Sequence, residues 1–251
     1  MENILAYSPL DITLIAQNFD RFLYGVWMTL NLTFLSLFIG GLLAIPMAIA
    51  RASRHRVLNP LVWGYTYVFR GTPLLVQTYL IYYGLGQFEW VRQSWLWEPV
   101  LSSAWWCALI AFTLNTAAYS TELLRGAIVD TPKGEVEAAI ATGHSYRNRM
   151  RRIILPSAFR RAIPAYSNEV IFMLHGSVVA STITLQDILG VGRWLNGRYY
   201  LAYEGFITAA LPHFLIGPSI TFVFRALGRC ALRHPPRPEP PAPADEHPAA
   251  R

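Results

Sequence analysis

Long apolar blocks alternate with short polar gaps along this chain, and the length of the blocks decides what the pattern means. Residues 22–50 run for 29 positions without a charged side chain, although about 20 residues suffice for a helix to cross a ~30 Å hydrocarbon core. Tilt or a helical overhang is therefore expected. Residues 57–69 are apolar but short, Arg70 ends them, and a second charge-free run passes through Pro73 to Phe88. That region, 61–88, predicts one long or broken helix. Further blocks predict helices at 100–126, at 162–186, interrupted only by Glu169 and His175, and at 205–226. The expected fold class is all-α integral membrane, with five transmembrane helices in a domain spanning 22–230.

The flanks read differently. Residues 1–21 carry Glu2, Asp11, Asp20 and Arg21, too charged for a secretory signal, and are expected to form an external lead-in. Residues 231–251 are proline-rich without apolar periodicity, which predicts a disordered tail. Composition agrees with a membrane class: 53% of residues are apolar and only 14% charged, poorer in charge than soluble domains usually are. A formal charge of +6 would suit nucleic acid, but no aromatic-interleaved basic domain is present. The basic residues gather instead in alternate gaps, at Arg51 to Arg56, Arg125 to Arg161, and from Arg225 onward. The positive-inside rule makes those gaps cytoplasmic, with the N-terminus outside and the C-terminus in the cytoplasm. Trp90, Trp95 and Trp97 then fall in an external gap, where indole rings suit the headgroup level.

Several chemistries find no support. Cys107 and Cys230 have no metal or disulfide-framework spacing. The six histidines include no close pair at ligand spacing, and no nucleophile and base can be paired. Gly192, Gly197 and Arg198 repeat the glycine spacing of a phosphate-binding loop without its lysine and Ser/Thr, so nucleotide binding there is rejected. No catalytic site, metal site or cofactor is expected in this chain.

The polar segment at 129–160 has its own grammar. Glu137, Ala138 and Ala139 are followed by Gly143 and then by Ile153, Leu155 and Pro156. Thr131 before Pro132 predicts a capped helix start, and Glu135 and Glu137 suit its positive end. Gly143 suits a left-handed closure, and Ser145 predicts the cap of a second, basic helix ending near Pro156. Val136, Ala139, Ile140 and Gly143 fall at i, i+3, i+4 and i+7, a narrow small-residue face suited to close docking. Arg147, Arg149, Arg151 and Arg152 suit anionic lipid.

That spacing resembles the cytoplasmic EAA loop of ABC importer permeases. RGTPLLVQ at 70–77, LNTAAYSTE at 114–122 and AYSNEVIFML at 165–174 are similar to the polar amino acid branch of that family. The likeness is nearest to permease subunits of histidine/lysine/arginine/ornithine importers and of opine importers, and covers 24–225. It implies a type I ABC importer permease (MetI-like) fold in the bacterial plasma (inner) membrane. It implies as partners a second homologous permease, distinct or identical, two cytoplasmic ATPase subunits that bind ATP and Mg, and an external solute-binding protein. It implies an amino acid substrate, with opines or other amino-acid-derived solutes as the alternative, and ATPase coupling through Glu135, Glu137, Ala138, Ala139, Ile140, Gly143 and Pro156. A secondary amino acid transporter, the reading outside the family, would need internal repeats or paired broken helices that the sequence does not show.

Two acids lie within the expected spans, where an ionised carboxylate is costly unless it faces water, a cation or a partner. Glu122 stands one turn from Arg125, which suits an ion pair or helix anchor. Glu169 lies deeper and is the better candidate to meet a basic solute. Asn168, Gln77, His175, Ser177, Ser181 and Thr182 are the remaining pathway candidates, with 174, 177, 178, 181 and 182 falling on one helical stripe. His175-Gly176 departs from the Lys-Asp or Lys-Gly pair that many amino acid permeases carry there.

Overall fold

Small side chains recur at every turn along the first long helix, and they decide how the rest of the chain packs. In the computed structural model, which describes residues 12–231, a short helix α1 (Ile12–Gln17) leads into α2 (Phe19–Ala52). The buried row of α2 reads Gly25, Thr29, Thr33, Ser36, Gly40, Ala44 and Ala48. Helices between lipid tails gain little from apolar burial and associate by such close approach of small residues. Gly25 and Thr29 meet the segment from Asp187 to Val191; further along, at Gly40, the partner is α6 (Ala104–Val129), whose buried positions include Ala108, Ala111, Thr116, Ala117 and Ala118. A Cβ at Gly40 would overlap the Thr116 methyl and lie 3.0 Å from the Thr113 carbonyl oxygen.

Around this pair the chain is helical at every level. After α2, the side chain of Asn59 donates to the carbonyls of Arg51 and Ser53, satisfying the end of the helix. The His55 ring accepts from the N–H groups of Val57 and Leu58 at the start of α3 (Leu58–Gly71). Thr72 and Pro73 are extended, and α4 (Leu74–Tyr79) resumes in the same region, so the broken form of the expected 61–88 helix is the one found. A single turn α5 (Glu89–Arg92) lies in the tryptophan-bearing gap. The lead-in expected at 1–21 falls partly, and the tail expected at 231–251 almost wholly, outside the described residues.

Three differences from expectation stand out. Thr131 does not cap α7 (Lys133–Ala141), whose N-cap is Pro132; the hydroxyl instead donates to the Ile128 carbonyl at 2.8 Å. The basic helix does not end near Pro156. It begins as α8 (Tyr146–Arg149), passes through a π-helical turn at Met150–Ile154, and continues as α9 (Leu155–Gly176) and a 3-10 segment, Ser177–Ile183. Proline lacks an N–H and crowds the preceding turn, and the wider π turn just before it accommodates both defects. Third, the gap before the last block is not a loop: α10 (Ile188–Tyr199) fills it and packs against α2 and α11 (Ala202–Ala231).

The first glycine of the rejected phosphate-loop pattern has a packing role here, whereas a Cβ at Gly197 would meet nothing within 4 Å. Gly192 of α10 meets Gly205 of α11 so closely that a Cβ on either would sit 2.7 Å from the other's carbonyl oxygen. Asp187 caps α10 by accepting the Gly190 N–H at 2.7 Å, while Thr29 of α2 accepts that of Ile188. The buried apolar side chains form three clusters distributed along α2, around Phe22, around Leu32 and Leu37, and around Ala44 and Ala48.

Apolar surface faces outward as well, with Phe38, Phe214 and Phe222 each at least two-thirds exposed, as a lipid-facing bundle requires and a soluble monomer rarely permits. By length and apolarity, Phe19–Ala52 and Ala202–Arg229 can each cross a membrane, and the bent pair Tyr146–Ile183 and Ile188–Tyr199 supplies a third candidate. Neither α3 with α4 nor α6 meets that measure: the first is broken at Pro73, and α6 carries a polar run from Thr113 to Glu122. That run is largely buried inside the bundle, so α6 does not need a lipid-grade surface.

Overpacking a filled contact typically costs about 1–3 kcal/mol. Gly40→Val is therefore expected to lower the melting temperature in detergent clearly. Gly64→Ala, where an added Cβ meets nothing within 4 Å, is expected to leave it unchanged or raise it slightly. Equal melting of the two variants would remove the α2–α6 crossing from its central place.

Candidate functional site

The break between α3 and α4 leaves backbone carbonyls without helical partners, and Gln77 repairs it. Its Nε2 donates to the carbonyls of Phe69 at 2.8 Å and Thr72 at 3.0 Å, and to the Thr72 hydroxyl. Asn115 of α6 donates to the Gln77 Oε1 at 3.0 Å and fixes the amide. Gln77 is thus spent on the break, as an irregular backbone inside a membrane protein demands, and it does not line a cavity.

Beside this repair lies a polar groove. A cavity of about 420 Å³ is lined by Thr72, Pro73, Asn115, Tyr119, Glu169 and Phe172, among others. A second, of about 390 Å³, shares Tyr119, Glu169 and Phe172 and adds Arg70, Asn168, Glu122 and Arg125. A third, of about 270 Å³, shares Arg70 and Glu122 and adds Arg51 and Thr66. The groove therefore runs from the middle of α6 toward the ends of α2 and α6 where the arginines gather.

Glu169 sits where the first two cavities meet, only 8% exposed, and accepts from the Thr116 hydroxyl at 3.0 Å. Arg70 lies over the Tyr119 ring at 5.3 Å from its centroid, and the Tyr119 hydroxyl donates to the Arg70 carbonyl. A carboxylate and a guanidinium on different helices thus face the same cavity. Glu122 is the anchor its spacing suggested, and more. Arg125 lies 2.6 Å and Arg51 3.0 Å from it, and the Thr66 hydroxyl donates to it at 3.0 Å. Arg51 also reaches Asn59 at 2.7 Å, so α2, α3 and α6 are fastened together at one carboxylate. Removing one partner of such a cluster would leave a charge uncompensated in a poorly hydrated place.

The other expected pathway residues divide. Asn168 lines the groove. His175 does not: it is exposed on another face, where it lines a cleft of about 720 Å³ with His213, Thr221 and Arg225. The stripe of Ser177, Ser181 and Thr182 dissolves because that segment is a 3-10 helix, with three residues per turn. Their hydroxyls donate to the carbonyls of Leu174, Val178 and Val179, three residues back. Asn115, Thr116, Tyr119 and Arg70 were missed as site residues. Their signal was a polar cluster inside an otherwise apolar stretch, within LNTAAYSTE and at the head of RGTPLLVQ.

At the arginine-rich end, α7 stands against the bundle on one face only. Gly143 takes φ +75, and the N–H groups of Gly143 and His144 bond back to the carbonyls of Ile140 and Ala139, a full Schellman closure. Ser145 caps α8 by accepting the Asn148 N–H. The small-residue face is split by this geometry. Ala139, 2% exposed, and half-buried Val136 turn inward, and Val136 packs on the cluster that includes Met150 and Ile154. Glu137, Ala138, Ile140 and Gly143 stay exposed, whereas Glu135 is half-buried. Pro156 follows the π turn inside the long helix and is not on the α7 surface.

Polar side chains of α3, α6 and α9 border a groove inside a lipid-facing bundle; such a groove suits the passage of a hydrophilic solute, and the architecture is that of a membrane permease. The chain belongs to the family of binding-protein-dependent transport system inner membrane components, which it matches over residues 40–229. It is similar to the nopaline transport system permease protein NocM of Agrobacterium fabrum, 42% identical with 87% of this chain and 89% of the relative covered. It is similar also to the histidine/lysine/arginine/ornithine transport system permease protein HisM of Salmonella typhimurium, 43% identical over 84% of this chain and 89% of that protein. A crystal structure of an amino acid ABC transporter with histidines superposes with a TM-score of 0.78 at 30% identity, covering 88% of this chain and 99% of that one. The chain is the permease subunit of an ABC importer, with the type I (MetI-like) fold, in the inner membrane.

Loss of the Gln77 amide would take from the Thr72 carbonyl its side-chain donor and leave the Phe69 carbonyl only the 3.4 Å contact from Asn115, and a buried unsatisfied group costs about 1–3 kcal/mol. Gln77→Leu is expected to lower thermal stability in detergent by that amount, with Asn115→Leu costing less because Gln77 keeps its backbone contacts. A Gln77→Leu protein as stable as the parent would show that the break needs no repair.

Proposed function

We propose that this chain forms, with a second homologous permease, the translocation pathway for polar, basic L-amino acids of the histidine, arginine, lysine and ornithine type. The observation that carries this reading is Glu169: a largely buried carboxylate with one hydroxyl partner, opening on a cavity that Arg70 also lines. An intramembrane acid so placed calls for a cationic partner, and a cationic amino acid would supply its charge while Arg70 receives its carboxylate. The names of HisM and of the histidine-bearing transporter structure support the solute class.

In this reading five helical stretches cross the membrane, with the N-terminus outside and the C-terminus in the cytoplasm. The family's dependence on binding proteins supports an external protein that delivers the solute. Two cytoplasmic ATPase subunits would bind ATP and Mg and dock on the exposed face of α7, at Glu137, Ala138 and Ile140. This chain would then contribute pathway and motion without catalysis. Opines are the second reading, favoured by the likeness to NocM: these amino acid conjugates carry an additional carboxylate that Arg70 would suit.

Glu169→Gln is expected to reduce uptake of L-arginine at limiting concentration about ten- to a hundredfold, the worth of one charged contact, with the complex still assembled. Unchanged uptake would exclude the carboxylate from the pathway. Parallel uptake of octopine by the unaltered transporter separates the two solute readings. For the docking face, Glu137→Lys is expected to release the ATPase subunits during purification or to uncouple them; normal copurification with normal transport would move the dock elsewhere.

A further inference from the structure

One arginine outside every expectation above ties three helices together. From α9, Arg161 donates through Nη2 to the Ala127 carbonyl at 2.8 Å and the Thr131 hydroxyl at 2.9 Å, both at the end of α6. Its Nη1 donates to the Ser157 hydroxyl at 2.5 Å, and Ser157 donates in turn to Glu135 of α7 at 2.7 Å. A planar guanidinium offers several donors at fixed angles, which an ammonium does not.

This tie matters because the covalent route from α7 to α9 is compliant. Along the chain lie the left-handed bend at Gly143, then the π turn at Met150–Ile154, then Pro156. Glycine bends and π turns are places where helices yield, so a push on α7 travelling only along the backbone would be absorbed there. Through the bond from Ser157 to Glu135 the same push bypasses all three and enters α9 directly, with Arg161 holding the Ser157 hydroxyl in place. Glu169 lies eight residues beyond Arg161 on that helix, about 12 Å of axial rise, and bonds to Thr116 of α6. A tilt of α9 about its Arg161 anchor on the α6 end would therefore be felt at the groove.

We propose that Arg161 is a positioning residue that holds the Ser157 hydroxyl on Glu135, so that α7 and α9 move as one body and displacement of α7 by an ATPase subunit reaches the Glu169 groove. This deepens the proposed function and rests on α7 being the docking helix, but not on the identity of the solute.

The test uses the purified complex of permeases and ATPase subunits in lipid, with and without ATP and vanadate. Hydrogen exchange is followed in α7 and α9, beside uptake of L-arginine with the binding protein. In the unaltered complex nucleotide trapping changes protection in both helices. In Arg161→Gln the ATPase subunits and basal ATP hydrolysis are retained and the change in α7 persists. The change in α9 is lost and uptake falls at least about tenfold. Adding Glu135→Gln to Arg161→Gln costs nothing further, since the two act in series, and Thr131→Val, which removes one anchor, gives an intermediate loss. The proposal is overturned by an α9 response that survives in Arg161→Gln, by additive losses in the double variant, or by absence of any nucleotide response in the unaltered α9. It is overturned too if Arg161→Gln and Thr131→Val both shed the ATPase subunits, which would make the clamp a scaffold of the dock. L-arginine uptake absent from a complex whose α9 still responds to nucleotide would count against the solute class alone.

Discussion

The close crossing of α2 on α6 is the contact on which the remainder depends. Between lipid tails there is little hydrophobic gain in bringing helices together, so the small residues of α2 around Gly40 matter for the approach they permit. With α2 and α6 backbone to backbone, the carboxylate of Glu122 comes within reach of Arg51, and the middle of α6 is enclosed. Enclosure in turn lets α6 carry asparagine, threonines and tyrosine that a lipid-facing helix would not tolerate.

Polar groups in this setting bridge helices, open on the groove, or do both. Gln77 with Asn115, Glu122 with its two arginines, and Arg161 with Thr131 each fasten one helix to the end or break of another. Each stands where the backbone would otherwise leave carbonyls or charges uncompensated. Glu169, Arg70 and Asn168 border open space, as do Asn115, Glu122 and Arg125 beside their fastening bonds. Structural fastening and the lining of the groove use the same residue types, which is why the two could not be sorted by type alone.

The long glycine and proline punctuation of the chain follows the same economy. Gly40, Gly192 and Gly205 are places of close backbone approach. Gly143 is a left-handed closure, and Pro73 and Pro156 mark a break and a π turn in otherwise helical runs. The chain between α7 and α9 carries both a glycine closure and a π turn, and the side chains of Glu135, Ser157 and Arg161 bridge it.

Period and charge along the chain were enough to determine that it is helical, apolar beyond the needs of a soluble core, and interrupted by a helix closed at Gly143 with a second one capped at Ser145. These are local properties: hydrocarbon thickness, the φ available to glycine and the reach of a serine hydroxyl act within a few residues. The same locality explains the misreadings. Thr131 has the sequence of a cap but is drawn to Ile128 and Arg161, and Ser177, Ser181 and Thr182 lie on one stripe only if the turn holds 3.6 residues. Glu169, the better candidate, and Gln77 were both read as pathway residues until folding set Gln77 against a broken helix and left Glu169 on a cavity. Only tertiary structure decided this, because which polar group finds a partner depends on helices far apart in sequence, such as α4 with α6 and α6 with α9.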